Sequence, residues 1–384
     1  MTTTLTHRIL PAEPADPDGS AALLAAQRRT AELEELIGAD PGEFTILTGD
    51  RPTGPLHLGH YFGTLASRVR LQRAGVRLFI LVADYQVLTD RDVADRLAPA
   101  VEGLVADYLA AGVDPSSATI FAHSAVPELN QLMLPFLSLV SVAELQRNPT
   151  VKEEISASRQ AAVSGLMLTY PVHQAADILF CKANLVPVGK DQLPHLELTR
   201  MIARRFNDRY AAGSSFFPVP DALLSPAPNL LGTDGTKMSK SRGNAVALSA
   251  TADETARLIR RAKTDPRRDI SFEPDSRPEV SSLVLLTALC QDRDPHDVAA
   301  GIGAGGAAEL KRVAIESVNE FLRPVRARRA ELAADPGYLR AVLAAGNERA
   351  RLIAARTLAD VREAMGTSYG GGQDEDKRLV TAAG

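Results

Sequence analysis

Short apolar runs alternate with stretches of helical periodicity from residue 44 to residue 122, and this alternation restricts the fold more than any other feature. Residues 44–48 read as a buried strand. Gly49, Asp50, Arg51, Pro52, Thr53, Gly54 and Pro55 follow as a run of turn formers. Leu58, Tyr61, Phe62 and Leu65 then recur at helical spacing, with Gly75 as a stop. Residues 76–83 make a second strand ending at Asp84, residues 90–111 a second helix and residues 118–122 a third strand. Such alternation implies a parallel sheet with right-handed crossovers, and ligands of these sheets bind beyond the carboxyl ends of the strands.

Two apolar helices, 127–145 and 165–180, read as an insertion between the halves of the sheet. Residues 185–188 are a fourth strand, followed by Gly189, Lys190, Asp191 and Gln192 and a helix to about Asn207. Residues 218–228 read as a proline-rich loop. From Thr251 onward only helices are expected, at 251–263, 281–290, 307–333 and 336–365. The fold class is therefore α/β, a parallel sheet domain followed by an all-helical C-terminal domain. Prolines and Gly19 among alanines and acids make the first 20 residues read as a disordered tail, with a helix over 21–37. The expected units are 1–42, 43–250 with a helical insertion near 125–182, 251–370, and a loose tail at 371–384.

The net charge of −4 does not advertise nucleic-acid binding, so any such binding needs a local basic patch. Cys181 and Cys290 give neither a disulfide framework nor metal spacing. Without a signal peptide or a long apolar run, the default expectation is a cytoplasmic protein that does not enter a membrane.

Two short segments carry chemistry. Lys237, Met238, Ser239, Lys240 and Ser241 lie in a loop expected over 232–243, between Gly235 and Gly243. Arginine outnumbers lysine 35 to 8 in this chain, yet two of the lysines fall within these five residues. Lysine is a compact charge on a flexible stem and suits a loop that follows a polyphosphate. The second segment is His57-Leu58-Gly59-His60 at a helix start. Its histidines share one face, Gly59 leaves room for a flat ligand, and the helix N-terminus offers free amides to phosphates. Each segment taken alone is also compatible with a solvated loop or a capped surface helix. A zinc site is not expected, because a third ligand is not evident.

The two segments in this order, early turn and late loop, resemble the signature of the class I aminoacyl-tRNA synthetases. Thr169-Tyr170-Pro171-Val172-His173-Gln174-Ala175-Ala176-Asp177-Ile178-Leu179 looks like the amino-acid-pocket helix of the tryptophanyl enzymes, with the tyrosyl enzymes as close relatives. Tyr170 and Asp177 are seven residues apart and share a helix face. Residues 185–207, 322–329 and 361–366 extend the resemblance, which covers roughly 43–367. It implies a Rossmann-like sheet, a helical domain that reads the anticodon, a homodimer, and ATP-dependent attachment of L-tryptophan to tRNA(Trp) through a tryptophanyl-adenylate. The alternatives are a tyrosyl enzyme and a catalytically idle paralogue that binds tryptophan or nucleotide. Leu47, on the first strand, cannot pair with a substrate hydroxyl, which favours tryptophan.

The resemblance also implies roles. His57, His60, Lys237, Lys240 and Lys152 are expected to serve catalysis. Mg·ATP is expected against Arg51, Pro52, Thr53, Gly59, His60, Gly189, Lys190, Asp191, Leu230, Lys237, Met238, Ser239, Lys240 and Ser241. Tryptophan is expected against Leu47, Gln86, Tyr170, Gln174, Asp177 and Gln192, with Asp177 accepting the indole N–H and Tyr170 holding the ammonium. Lys311, Arg312, Arg323 and Arg326 are the expected tRNA surface, joined by Arg328 and Arg329. Residues 132–142 are a candidate dimer surface. The chain departs from many tryptophanyl enzymes at Arg51-Pro52-Thr53, where they have Gln-Pro-Ser, at Gln86, where they have histidine, and at Gln174, where they have methionine.

Overall fold

Five parallel strands form the centre of the computed structural model, which describes residues 20–89, 97–152, 163–189, 192–224, 230–240 and 242–369. β1 (Thr45–Asp50), β2 (Arg77–Val82), β3 (Ala118–Ala122), β4 (Leu185–Val188) and β5 (Asp221–Leu224) lie in the order β3-β2-β1-β4-β5. Every neighbouring pair is parallel. The direction of chain progression reverses between β1 and β4, and this switch point opens a crevice beyond their carboxyl ends. The strands are apolar along most of their length because helices cover both faces.

The first helix is α1 (Ser20–Ala39), and the second, α2, runs over 58–74. α2 contains a π turn at Tyr61–Leu65, and Gly75 ends it with φ 101°. The widened turn sets Tyr61 and Phe62 against Phe321, with ring centroids 5.1 Å apart in each case. α3 is Leu97–Ala110, α4 Glu128–Leu137, α5 Val142–Arg147, α6 Gly165–Leu179 and α7 Leu193–Tyr210. The remaining helices are α8 (Ala252–Arg260), α9 (Pro278–Gln291), α10 (Pro295–Ile302), α11 (Gly306–Ala333) and α12 (Pro336–Ala364).

Three elements differ from the sequence reading. β5 lies inside the stretch expected as a loop. It is four residues long and follows Pro218 and Pro220, but it buries Ala222 and Leu223 against the core. The single helix expected over 127–145 is two, because Ser141 starts a new one. The Ser141 hydroxyl accepts the Glu144 N–H, and the Glu144 carboxylate accepts the Ser141 N–H, a capping box hidden within an apolar run. α10 is additional and begins at Asp294, whose carboxylate caps the His296 N–H.

Both sheet edges are covered, which removes the exposed ladder groups that invite aggregation. At the β5 edge, Thr30 of α1 accepts the Leu224 N–H at 3.0 Å and Arg29 bonds Asp221. At the β3 edge, Asn347 of α12 accepts the Ala122 N–H at 2.8 Å. α12 approaches so closely that a Cβ on Gly346 would lie 1.8 Å from the Ile120 carbonyl oxygen. The C-terminal helices share the core of the sheet: Leu310, Val318 and Leu322 belong to the same cluster as Ile46, Leu78 and Ile120. Residue 251 therefore marks a change of element type without a break in packing. Residues 1–19 and 370–384 lie outside the described residues, as do Lys190, Asp191 and Ser241.

Candidate active site

β1 ends at Asp50, and the turn after it delivers the chain to α2. The Asp50 carboxylate accepts Arg68 Nη1 of α2 at 2.5 Å and the Tyr108 hydroxyl of α3 at 2.8 Å. Burial alone would raise this carboxyl, but the adjacent Arg68 guanidinium holds it at about 2. One ionised carboxylate thus ties a strand end to two helices and fixes where α2 starts. Asp107 of α3, fully buried, makes a second tie. It accepts the Leu56 N–H at 2.8 Å and Arg329 Nε of α11 at 2.6 Å.

His57 and His60 sit at the start of α2 with ring centroids 3.7 Å apart, and the His57 N–H donates to His60 Nδ1 at 3.2 Å. Burial, with the His60 and Lys240 charges adding to it, pushes His57 down to about 3. Burial likewise brings His60 down to about 4, although Asp50 pulls the other way. Both rings are therefore neutral at pH 7 and offer N–H donors and lone pairs, not charge. Because each folded pKa lies below the unfolded value near 6.5, these rings favour unfolding increasingly as pH falls from about 6.5, to about 4 for His60 and about 3 for His57.

The lysine loop is docked on this turn. Lys240 Nζ donates to the Gly54 carbonyl at 2.8 Å, across 186 residues of sequence. Burial lowers the Lys240 pKa, and Asp50 and Asp107 oppose that shift. A Cβ on Gly59 would lie 3.0 Å from the His57 ring and 3.1 Å from Met238 Sδ. The space that Gly59 leaves is thus used by Met238 of the loop. Downstream of the loop, the Leu58 N–H bonds the Val246 carbonyl and the Leu248 N–H bonds the Leu56 carbonyl, so the two segments are also stitched by backbone.

The loop is braced from within, where the sequence suggested only flexibility. Asn244, buried, accepts the Ser239 N–H through Oδ1 at 2.8 Å. Its Nδ2 donates to Asp234 at 2.8 Å and to the Lys237 carbonyl at 3.2 Å. Gly232 makes room for this hub: a Cβ there would lie 2.3 Å from the Asn244 amide. Gly232→Ala is accordingly expected to unseat Asn244 and speed amide hydrogen exchange at Ser239 at least about tenfold. Hydrogen exchange beside circular dichroism checks this, and unchanged exchange at Ser239 refutes the bracing role. Neither Asn244 nor Gly232 stood out in the sequence, since polar turn residues are common and their partners are not adjacent.

On α6, Tyr170 bonds His195 Nε2 of α7 at 2.8 Å through its hydroxyl, and Asp177 is fully buried. Burial, reinforced by Asp84, drives the Asp177 pKa well above the usual carboxylate range. Leu47 is buried in the same core cluster as Val172, Ala175 and Ala176 of this helix. Gln86 and Gln174 are half-buried. Gln192 directly precedes α7, its backbone N–H bonded to the Gly189 carbonyl at 3.0 Å. Pro52 and Leu230 are buried, while Arg51, Thr53 and Lys237 are exposed. Lys152 is exposed at the end of a described segment.

The basic set on α11 is engaged within the chain. Arg312 pairs with Glu309 and Glu316, and Arg323 with Glu320. Arg326 bonds Asn319 and Thr255, and Lys311 bonds the Arg260 carbonyl. Among the described residues there is no group of three His, Cys, Asp or Glu able to hold a metal ion, and no helix long and apolar enough to cross a membrane.

The family described as tRNA synthetases class I (W and Y) matches residues 40–323. The chain is 44% identical over 330 residues to the tryptophan–tRNA ligase of Treponema pallidum (strain Nichols), covering 84% of this chain and 97% of the relative. It is 40% identical over 333 residues to the tryptophan–tRNA ligase of Clostridium longisporum, again covering 84% and 97%. The solved tryptophanyl-tRNA synthetase from Campylobacter jejuni, complexed with ADP and tryptophan, superposes with a TM-score of 0.73 at 27% identity, covering 84% of this chain and all of that one. A lysine loop docked on a histidine turn beyond the carboxyl ends of a parallel sheet is the arrangement these matches span, and the chain belongs to the class I tRNA synthetases of the W and Y kind.

Proposed function

We propose that the chain activates L-tryptophan with Mg·ATP and transfers it to tRNA(Trp). The tryptophan carboxylate attacks the α-phosphate, giving tryptophanyl-adenylate and pyrophosphate. A ribose hydroxyl of the tRNA's terminal adenosine then takes the aminoacyl group, and AMP leaves as the acyl–phosphate bond breaks. No covalent protein nucleophile is needed, so catalysis is positioning plus stabilisation of charge on phosphate oxygens. The observation that carries this reading is the junction of Lys240 with Gly54, which puts an ammonium group at the turn that begins α2.

In this reading His57 and His60, as neutral donors, and the amides at the start of α2 hold the adenosine and phosphate chain. Arg51, Pro52, Thr53, Gly189, Lys190, Asp191 and Leu230 complete the nucleotide site. Lys237 and Lys240 meet the departing pyrophosphate, with Lys152 as a third cation and Met238, Ser239 and Ser241 as further nucleotide contacts. Magnesium arrives with ATP as part of the substrate. Tryptophan lies against Leu47, Gln86, Tyr170, Gln174, Asp177 and Gln192. The helical region after residue 251 meets tRNA through α11. Leu134 and Val142, exposed at 68% and 59%, are the apolar side chains of the 132–142 stretch open to a second copy of the chain.

Amino-acid-dependent pyrophosphate exchange tests the substrate assignment. Tryptophan is expected to drive exchange and tyrosine to fail, because no group on Leu47 can bond the phenol. Exchange driven by tyrosine and not by tryptophan would overturn it.

A further inference from the structure

A second buried polar group lies beside Asp177. His123 directly follows β3, its side chain and that of Asp177 are both 0% exposed, and its Nε2 lies 3.4 Å from Asp177 Oδ1. None of the four polar atoms of this pair has a formed hydrogen bond among the described residues. Buried polar atoms are nearly always paired, so these four atoms call for partners, which can be one another or a ligand.

The neighbours leave few choices for the protons. His173, one turn before Asp177 on α6, lies tilted at 41° against His123 with ring centroids 3.8 Å apart and bonds Asn130 at 2.9 Å through Nε2. The Tyr85 ring lies 5.5 Å from that of His123. The Asp84 carboxylate accepts the Ser124 N–H at 3.0 Å, the Tyr85 N–H at 3.0 Å and the Ser124 hydroxyl, so both of its oxygens are engaged. Burial first, then the Asp84 charge, favours a protonated Asp177, and burial first, then His173, favours an uncharged His123.

We infer that His123 is a positioning residue that makes the pocket selective for an N–H donor: a proton held between His123 Nε2 and Asp177 Oδ1 leaves Asp177 Oδ2 as an acceptor only. The inference rests on the reading that Asp177 meets the indole of the substrate. Whichever of the two atoms carries the proton, Oδ1 is occupied by it. A small closure of the 3.4 Å gap forms that hydrogen bond. Without His123, a neutral carboxyl is free to turn its O–H toward the substrate, where it meets another donor. No atom is gained or lost by the pair. What changes is which oxygen the substrate sees.

The test compares tryptophan with L-3-benzothienylalanine, which has nearly the same shape but carries sulfur in place of the indole N–H. Wild-type protein is expected to prefer tryptophan in kcat/KM for pyrophosphate exchange by about a hundredfold. His123→Leu is expected to shrink that preference about tenfold, through the KM for tryptophan and with kcat nearly unchanged. His123→Gln, whose amide N–H reaches the same oxygen, is expected to restore most of it. Preference retained in His123→Leu, or lost equally in His123→Gln, overturns the role of His123 while leaving the Asp177 reading intact. Absence of a preference in wild-type protein overturns the Asp177 reading itself, and the inference with it. If His123→Leu does not fold, the His123 ring nitrogen signal of ¹⁵N-histidine wild-type protein decides: a shift on adding tryptophan that the benzothienyl analogue does not produce supports the role, and equal shifts refute it.

Discussion

Replacing Lys240 by Ala is expected to slow tryptophan-dependent pyrophosphate exchange by about 10²–10³-fold while changing tryptophan binding little. The asymmetry follows from where the ammonium group sits. Lys240 Nζ is held on the Gly54 carbonyl, half-buried, beside Asp50 and Asp107. A charge kept in a partly desolvated place acts on phosphate oxygens more strongly than one in water. It is also already positioned, because Asn244 braces the loop from within and Met238 rests on Gly59. The measurement is exchange kinetics beside equilibrium tryptophan binding. A variant that binds tryptophan weakly but exchanges at the normal rate would reverse the assignment.

The second large effect is on stability. Asp50→Asn is expected to destabilise the fold by about 3–5 kcal/mol, because it leaves Arg68 with only 3% of its side chain exposed and no carboxylate. A pH dependence is expected from the same pair. The Asp50 carboxyl lies near 2 in the folded chain against 3.8 ordinarily, so the folded state binds its proton later than the unfolded state does. That difference contributes about 2 kcal/mol above pH 3.8 and is lost as pH falls through about 2. A urea midpoint unchanged at pH 7 in the variant would contradict the account. So would an acid limb, between pH 4 and pH 2, no flatter in the variant than in wild type. Because the same carboxylate joins β1 to α2 and α3, loss of this pair is also expected to loosen the histidine turn.

Local signals in the sequence carried far in this chain. The third and fourth strands fall on 118–122 and 185–188 as their apolar runs imply, and the alternation of elements leads to the parallel sheet. β5 is different. Four residues between prolines are too few to show a period, and the strand exists because β4 and α1 pair with it. The break between α4 and α5 was hidden for a related reason, since Ser141 and Glu144 cap a helix inside an apolar stretch.

The site divides along the same line. The two chemical segments are contiguous and could be recognised from residue types. Their physical supports are not contiguous. Asp107 meets Arg329 across 222 residues, Lys240 meets Gly54 across 186, and Tyr108 meets Asp50 across 58. Arg329, which the sequence grouped with a basic surface, also pairs with a buried carboxylate that holds the backbone beside His57. Such a buried pair follows from the packing of α11 on α3, and no local pattern announces it. His195 and His123 were missed likewise, one bonded to Tyr170 and the other set beside Asp177.

The proposal as a whole stands on activation followed by transfer to one tRNA. Charging a total tRNA pool with each of the twenty amino acids, and sequencing the tRNAs that become resistant to periodate oxidation, tests it most directly. The expected result is that tryptophan alone is attached, and only to tRNA(Trp). A chain that binds tryptophan and ATP but charges no tRNA, or one that charges a different tRNA, would contradict the account.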